Sequence, residues 1–531
     1  MFNRIFMLSL LHMADAMAQP ILPLPPMGFN NWARYETNIS EAIFVDAADS
    51  MIKHGLLSAG YNRINLDDAW STKERASNGS MVWDDTKFPR GLYWLTAHLK
   101  SNGFIPGIYT DAGNLSCGGY PGALDHEQID YDDFTKWGFE YLKMDGCNMP
   151  DPSTEEVYHE VYSRWHSLLS SVENPMIFSD SAPAYFADKD NLTDWYTIMG
   201  WAQKYGQLAR HSDDIQTYPD GASWDSMMNN YNYHVRLARY QKPGYFNDPD
   251  FLNVDHPSYS LDERKSHFAL WCAFSAPLIL STDLTAITPE EVEYLTNTEL
   301  IAVNQDRLIQ QATLVSRDKT WDVLSKSLEN GDRVLVALNK GDSVADITIP
   351  WARIGFPPSA VRHVKSLRVK NLWTGETIDV SSSESGIAAD SVASHGTAVF
   401  RIANSAGPVT PTGLIFNTRS MKCLTDSSSG NVVFATCDGS DAQTWSIRSD
   451  GHISSVLSPE DCIVDKEGVV LSSRSGCDSD SWSYDVSGNL VNGNSNNCLT
   501  EAANGAATAV VCGYELNEQV HGLPVGVTVG N

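Results

Sequence analysis

Tyr141-Leu142-Lys143-Met144-Asp145-Gly146-Cys147 is the stretch from which this chain is best read. Tyr141, Leu142 and Met144 supply the apolar content of a buried strand, while Lys143, Asp145 and Cys147 fall at alternate positions. Residues two apart share one face of a strand, so a cation, a carboxylate and a sulfur are expected to point the same way. Charged groups are costly in a core unless paired. Taken alone, the stretch reads equally well as a salt-bridged strand end with a chance cysteine; its neighbours decide.

Working outward, short apolar runs alternate with amphipathic helical patterns from Pro26 to about residue 300. The runs are Met27–Trp32, Tyr61–Trp70, Phe104–Ala112, Tyr141–Cys147, Pro175–Ser181, Tyr196–Trp201, Tyr245–Leu252 and Pro277–Thr282. Between them, Glu41–His54, Leu92–Ser101, Thr154–Val172, Trp224–Tyr240 and Leu261–Phe274 repeat with helical period. Eight strands with intervening helices predict an α/β chain whose residues 25–305 form a (β/α)8 TIM barrel. Polar groups collect at the C-terminal ends of the runs: Asp67-Asp68, Asp111, Asp145, Ser179 to Ser181, Asp248 and Asp250. In such barrels that end carries the active site.

Helical periodicity then gives way to alternation. Thr313–Ser316, Trp321–Ser327, Asp332–Asn339, Val344–Ile349, Leu367–Trp373 and Thr397–Ile402 predict an antiparallel β-sandwich over 310–404. A Ser/Gly/Pro-rich segment, 405–413, reads as a linker. Residues 414–531 contain an internal repeat, in which Cys423-Leu-Thr-Asp, Cys462-Ile-Val-Asp and Cys498-Leu-Thr-Glu each precede a second cysteine. Gln443-Thr-Trp445, Asp480-Ser-Trp482 and Gln519-Val-His521 close the three units. A threefold repeat of this size implies three β-units around one core. This segment resembles the ricin-type lectin module, a β-trefoil whose repeats end in Gln-x-Trp. That resemblance implies a sugar-binding aspartate two residues after each first cysteine, where this chain has Thr425, Val464 and Thr500. Weak, altered or absent sugar affinity is therefore expected at least as much as lectin activity.

Arg4, the apolar run Ile5–Leu11 and Ala16-Met17-Ala18 read as a signal peptide over 1–18. In a secreted chain the paired spacings Cys423/Cys437, Cys462/Cys477 and Cys498/Cys512 predict disulfides. Cys272, within an apolar helical pattern, is expected as a buried free thiol. Sequons at Asn38, Asn78, Asn114 and Asn191 are candidate N-glycosylation sites. A net charge of −29 argues against a nucleic-acid partner, and no segment after the leader is long and apolar enough to span a bilayer.

The carboxylates lack the His/Cys spacing of a zinc site and the loop spacing of an EF-hand. There is no Gly-x-Ser-x-Gly elbow or phosphate loop, and no metal or cofactor is expected. Paired carboxylates on a barrel rim, flanked by Trp and Tyr, suit glycoside hydrolysis. Met27-Gly-Phe-Asn-Asn-Trp32, Asn65-Leu-Asp-Asp-Ala-Trp70, the Tyr141–Cys147 strand, Arg210-His-Ser-Asp-Asp214 and Asn247-Asp-Pro-Asp250 together resemble the melibiases, glycoside hydrolase family 27, which holds α-galactosidases and α-N-acetylgalactosaminidases.

The resemblance implies Asp145 as nucleophile and, four residues after Arg210, Asp214 as acid/base; Asp213 is its immediate competitor, which the arginine spacing disfavours. It implies Asp67 and Asp68 as partners of sugar hydroxyls, Lys143 and Arg210 on the ring hydroxyls, and Trp32 on the apolar sugar face. Tyr109, Tyr185 and Asp250 would complete the wall, with a Cys117–Cys147 disulfide at the rim. Many members have a cysteine where Ala69 and Asp180 stand here. In the loop Phe178–Tyr185, Ser181 and Ala184 match the residues of α-N-acetylgalactosaminidases, where α-galactosidases of animals carry Glu and Leu. Such a loop leaves room at the sugar's 2-position. The expected substrates are α-galactoside or α-N-acetylgalactosaminide oligosaccharides, polysaccharides or glycoconjugates. The competing readings are a barrel that only binds sugar, a transglycosylating relative and a β-L-arabinopyranosidase. Lys143 is expected to lower the pKa of Asp145, and burial beside a second carboxylate to keep Asp214 protonated.

Overall fold

The computed structural model describes residues 20–530 apart from 171–174, 188–189, 219–220, 222, 357–365, 382–383, 404–408, 428 and 479. The expected signal peptide, 1–18, and the first residues of the expected linker lie outside the described residues.

Eight parallel strands follow one another around a closed sheet: β1 (Met27–Asn30), β2 (Arg63–Asn65), β3 (Ile105–Asp111), β4 (Tyr141–Asp145), β5 (Ile177–Asp180), β6 (Leu208–Arg210), β7 (Phe246–Asp248) and β8 (Leu278–Leu280). β8 pairs with β1, and a parallel bridge between Leu252 and Leu280 closes the ring on the other side. The register sets Asn30 beside Asn65, Asp111 beside Asp145 and Arg210 beside Asp248. The polar ends of the runs are thereby gathered on one rim, as the sequence predicts.

One strand is not where the apolar run placed it. Tyr196–Trp201 belongs to the helix Thr193–Tyr205, and β6 is the three-residue segment after it. Trp195, Tyr196, Ile198, Met199 and Ala202 are all buried, a stripe with helical rather than alternating period. A short apolar run is compatible with either element, and here its flanks decide. Glu127–Trp137 is a further helix; its polar face masked the buried Tyr131, Phe134 and Trp137.

The sandwich comprises β9 (Thr313–Arg317), β10 (Trp321–Ser327), β11 (Arg333–Asn339), β12 (Ala345–Pro350), β13 (Ser366–Asn371), β14 (Thr377–Ser381), β15 (Gly386–Val392) and β16 (Thr397–Ile402). Six of them form a sheet in the order β14-β13-β16-β11-β10-β9, and β12 pairs with β15. Cys272 is free and buried.

The tail is built from three hairpins: Cys423–Asp426 with Val432–Ala435, Cys462–Lys466 with Val469–Ser473, and Asn497–Glu501 with Ala507–Val511. Each is stapled by a disulfide, Cys423–Cys437, Cys462–Cys477 and Cys498–Cys512. The closing ring of each unit reaches the carbonyl that follows the unit's first cysteine. Trp445 Nε1 donates to Leu424 O at 2.8 Å and Trp482 Nε1 to Ile463 O at 3.2 Å. His521 Nε2 lies 2.9 Å from Leu499 O. Burial holds the His521 pKa down at about 4, so the ring is neutral and donates from Nε2, doing in the third unit what tryptophan does in the first two.

Gly28 shows how tightly the barrel is closed. A Cβ there would lie 2.3 Å from the backbone oxygen of Arg63, its partner on β2. A strand backbone in a closed sheet cannot yield to a methyl group, so Gly28→Ala should cost about 1–3 kcal/mol, read as a lowered thermal midpoint of the full chain.

Candidate active site

At the C-terminal rim the first motif sets the second. Asn30 Nδ2 donates to Asp67 Oδ2 at 2.7 Å, while Asn30 Oδ1 accepts from the backbone of Trp32 at 2.8 Å. Asn31 Oδ1 accepts from Asp67 N at 2.8 Å. Two asparagines to which the sequence reading assigned no role thus orient an acid and an indole. Asp68 turns away: its carboxylate accepts from Gly118 N at 2.7 Å and from Ala69 N at 2.6 Å. Ala69 has φ 71°, a left-handed conformation that a residue with a Cβ adopts at a cost.

Lys143 is the centre of charge. Its Nζ donates to Asp67 Oδ2 at 2.8 Å and lies 3.6 Å from Asp145 Oδ2, with only 6% of the residue exposed. Burial would lower its pKa, but Asp145 and Asp67 outweigh burial and keep the ammonium charged. Its ring neighbours are Tyr109 at 5.2 Å and Phe251 at 5.4 Å.

Arg210, at the end of β6, makes a second bridge. Nη1 donates to Asp250 Oδ1 at 2.7 Å; Nη2 donates to Asp214 Oδ1 at 2.9 Å and to Ser212 O at 3.1 Å. Asp250 is buried, accepts from Ile215 N at 2.7 Å and has φ 80°. Burial raises its pKa to about 7 against the pull of Arg210.

A cavity of about 280 Å3 opens between these bridges, lined by Trp32, Asp67, Tyr109, the Cys117–Cys147 disulfide, Asp145, Ser181, Ala184, Tyr185, Arg210, Ser212, Asp213 and Asp214. It lies just under the ~300–1,000 Å3 of typical small-molecule pockets. The expected site residues therefore separate into two layers. Most line the cavity, whereas Lys143, Asp68 and Asp250 stand behind it and fix the residues that do. Asp213, the competitor of Asp214, lines it as well, and so does Ser212, which had no assigned role; its place two residues after Arg210 was the available signal.

Asp111 is a further residue whose rim position was legible but whose role was not. It accepts from Gly113 N at 2.7 Å and Cys147 N at 3.0 Å, tying the loops after β3 and β4 together beside the disulfide. Burial, then the neighbouring Asp145, pushes its carboxyl up to about 8. Tyr109 and Tyr185 place their hydroxyls 3.5 Å and 3.4 Å from the disulfide sulfurs.

The two carboxyls at the cavity differ electrostatically, in the opposite sense to the sequence expectation. Burial pushes the Asp145 pKa up, and Lys143 only partly offsets it because that cation is shared with Asp67. Desolvation by the surrounding pocket walls would raise Asp214 too, but Arg210 and then Lys143 hold its carboxyl below the usual range. The Asp214 side chain is 57% exposed in the open pocket.

Comparison with known proteins places these residues in context. Residues 24–306 match the family model described as alpha galactosidase A, residues 318–402 that of the alpha galactosidase C-terminal beta sandwich domain, and residues 411–520 that of the ricin-type beta-trefoil lectin domain. The chain is similar to α-galactosidase A of Aspergillus niger, 49% identical over 516 residues, covering 96% of this chain and 93% of that protein. It is also similar to α-galactosidase 2 of Arabidopsis thaliana, 34% identical over 66% of this chain and 83% of that protein. The crystal structure of α-galactosidase I from Mortierella vinacea superposes with a TM-score of 0.66 at 31% identity, over 74% of this chain and 100% of that one. With its barrel, sandwich and trefoil each matched, and near half-identity to the Aspergillus protein over almost the whole length, the chain belongs to the melibiase family of α-galactosidases.

Proposed function

We propose that this protein is a retaining exo-glycosidase that hydrolyses terminal α-galactosyl residues by double displacement. The observation that carries this reading is the small cavity lined by both Asp145 and Asp214, beside two buried cations. Asp145 attacks the anomeric carbon as a carboxylate while Asp214 protonates the departing oxygen, leaving a galactosyl ester on Asp145. Asp214, now ionised, takes a proton from water, whose oxygen attacks the same carbon and frees Asp145 with the starting configuration restored. Asp67 receives sugar hydroxyls, Trp32 covers an apolar ring face, and Tyr109 and Tyr185 wall the ring. A sugar hydroxyl competing for Arg210 Nη2 releases Asp214 to carry the proton it must deliver.

The acetamido sugar is part of the same proposal. Ser181 Oγ is buried without a hydrogen-bond partner among the described residues, and it lines the cavity next to the small Ala184. An unpartnered buried hydroxyl next to open space is suited to a substituent at the sugar's 2-position. A secreted location belongs to the reading as well. Four disulfides and exposed sequon asparagines at 38, 78, 114 and 191 support it, and no helix among the described residues is long and apolar enough to cross a membrane.

Nitrophenyl α-galactoside and nitrophenyl α-N-acetylgalactosaminide should both be cleaved, with the α-anomer released first by NMR. No turnover of the acetamido substrate removes that half of the proposal, and release of the β-anomer removes retention. Asp145→Asn should lose at least about 1,000-fold in kcat on either substrate. Asp214→Asn should lose far more on oligosaccharides than on nitrophenyl glycosides, whose leaving group needs little protonation.

The pH profile tests Lys143. The nucleophile must be ionised, and Lys143 is the cation that offsets its burial. Lys143→Met removes that charge and raises the Asp145 pKa further, so a higher pH is needed to ionise it. The acid limb of kcat/KM should move to higher pH by about 1–3 units; a limb that stays put contradicts the assignment.

A further inference from the structure

The tail resembles a lectin, yet the polar side chains at its repeat positions are engaged inside the molecule. Thr425 Oγ1 donates to Cys423 O at 2.9 Å and accepts from Gln443 Nε2 at 3.1 Å; Thr500 repeats this with Cys498 O at 2.9 Å and Gln519 Nε2 at 3.0 Å. Asp426 is buried and accepts from Ser455 Oγ at 2.6 Å. Glu501 is held by Lys422 at 2.8 Å. Asp480 accepts from Asn492 and Asn494 at 2.8 and 3.0 Å. Trp445 and Trp482 are in the core. Tyr514 is 84% exposed, but the polar residues flanking it face the barrel.

Those contacts concentrate on one element. Asn517 Oδ1 accepts from Leu192 N at 2.9 Å and Asn517 Nδ2 donates to Asn191 Oδ1 at 2.6 Å. Thr193 Oγ1 donates to Glu515 O at 3.1 Å, and Thr197 Oγ1 to the Glu515 carboxylate. Tyr196 OH lies 2.8 Å from Thr418 Oγ1, and the buried Arg239 donates to Val486 O at 3.0 Å. Leu414, Phe416, Cys423 and Val520 of the tail share one continuous hydrophobic core with the barrel. The tail thus fastens the N-terminal end of helix Thr193–Tyr205.

That helix bears directly on the cavity. It follows the turn Ala182–Phe186, which carries Ala184 and Tyr185, and it leads into β6 and Arg210. Trp195 Nε1 donates to His211 O at 2.8 Å, inside the segment that carries Arg210 and Asp214. Trp195 in turn packs on Tyr196 with ring centroids 5.5 Å apart. A path of packed groups therefore runs from Thr418 through Tyr196 and Trp195 to the acid/base loop.

We propose that the C-terminal β-trefoil is a brace for the β5–β6 side of the catalytic pocket and not a sugar-binding module. The test is made on the full chain with Glu515→Ala and Asn517→Ala combined, both trefoil residues outside the cavity. The variant should show a lower thermal midpoint and a kcat/KM on nitrophenyl α-galactoside reduced about 3–30-fold, while Asp450→Ala, on a solvent-facing turn of the trefoil, should match wild type. Immobilised lactose, whose terminal galactose is β-linked, should not retain the wild-type protein. An unchanged kcat/KM in the double variant, with or without a lower midpoint, overturns the brace, and retention on lactose overturns the exclusion of sugar binding. The activity arm presupposes the α-galactosidase reading, which wild-type turnover checks separately.

Discussion

A single buried ammonium organises the catalytic rim. Lys143 sits between the carboxylates of Asp67 and Asp145, and removing either neighbour would leave a buried ammonium with one partner in place of two. Because β1, β2 and β4 each supply a member of this network, strand register and site geometry are one constraint. A one-residue slip of β4 would carry Lys143 and Asp145 to the opposite face of the strand. Arg210 plays the corresponding part across the cavity, joining β6 to the loop after β7 through Asp250. The two cations divide the labour: Lys143 offsets the burial of Asp145, and Arg210 favours the ionised form of Asp214.

Much of this was legible in the sequence because the relevant signals are local. Alternation in Tyr141–Cys147, acids at strand ends and the spacing from Arg210 to Asp214 all survive as contacts in space. What was not legible depends on tertiary competition. The run Tyr196–Trp201 carries the composition of a strand, yet its burial follows helical period because the barrel and the trefoil press on it from two sides. Asn30 and Asn31 stood in the first motif without a role, and only the pairing of β1 with β2 shows that they position Asp67. The electrostatic bias of Asp145 and Asp214 was beyond sequence reasoning for a similar reason. Lys143 adjoins Asp145 in the strand, but half of its attention is given to an acid 76 positions away.

Left-handed backbone also occurs at this rim. Ala69 and Asp250 adopt left-handed conformations next to Asp68 and after Pro249. Neither position is a glycine, so the surrounding hydrogen bonds must hold the backbone there. Ala69 N is bound by Asp68 and Asp250 by Arg210 and Ile215, which ties the cost of the strained residues to the same network that shapes the pocket.

The continuous core shared by barrel and trefoil has a consequence for biosynthesis. Thr193 and its partner Glu515 are separated by 322 residues. At roughly 5–20 residues per second, a ribosome takes about 15–60 s to supply the second after the first. Throughout that interval the face around Tyr196 and Arg239 lacks its cover, and the nascent barrel presents an apolar seam to whatever surrounds it. The order of the domains therefore leaves this seam uncovered until the trefoil follows, an interval that a barrel closed by its own residues would not have.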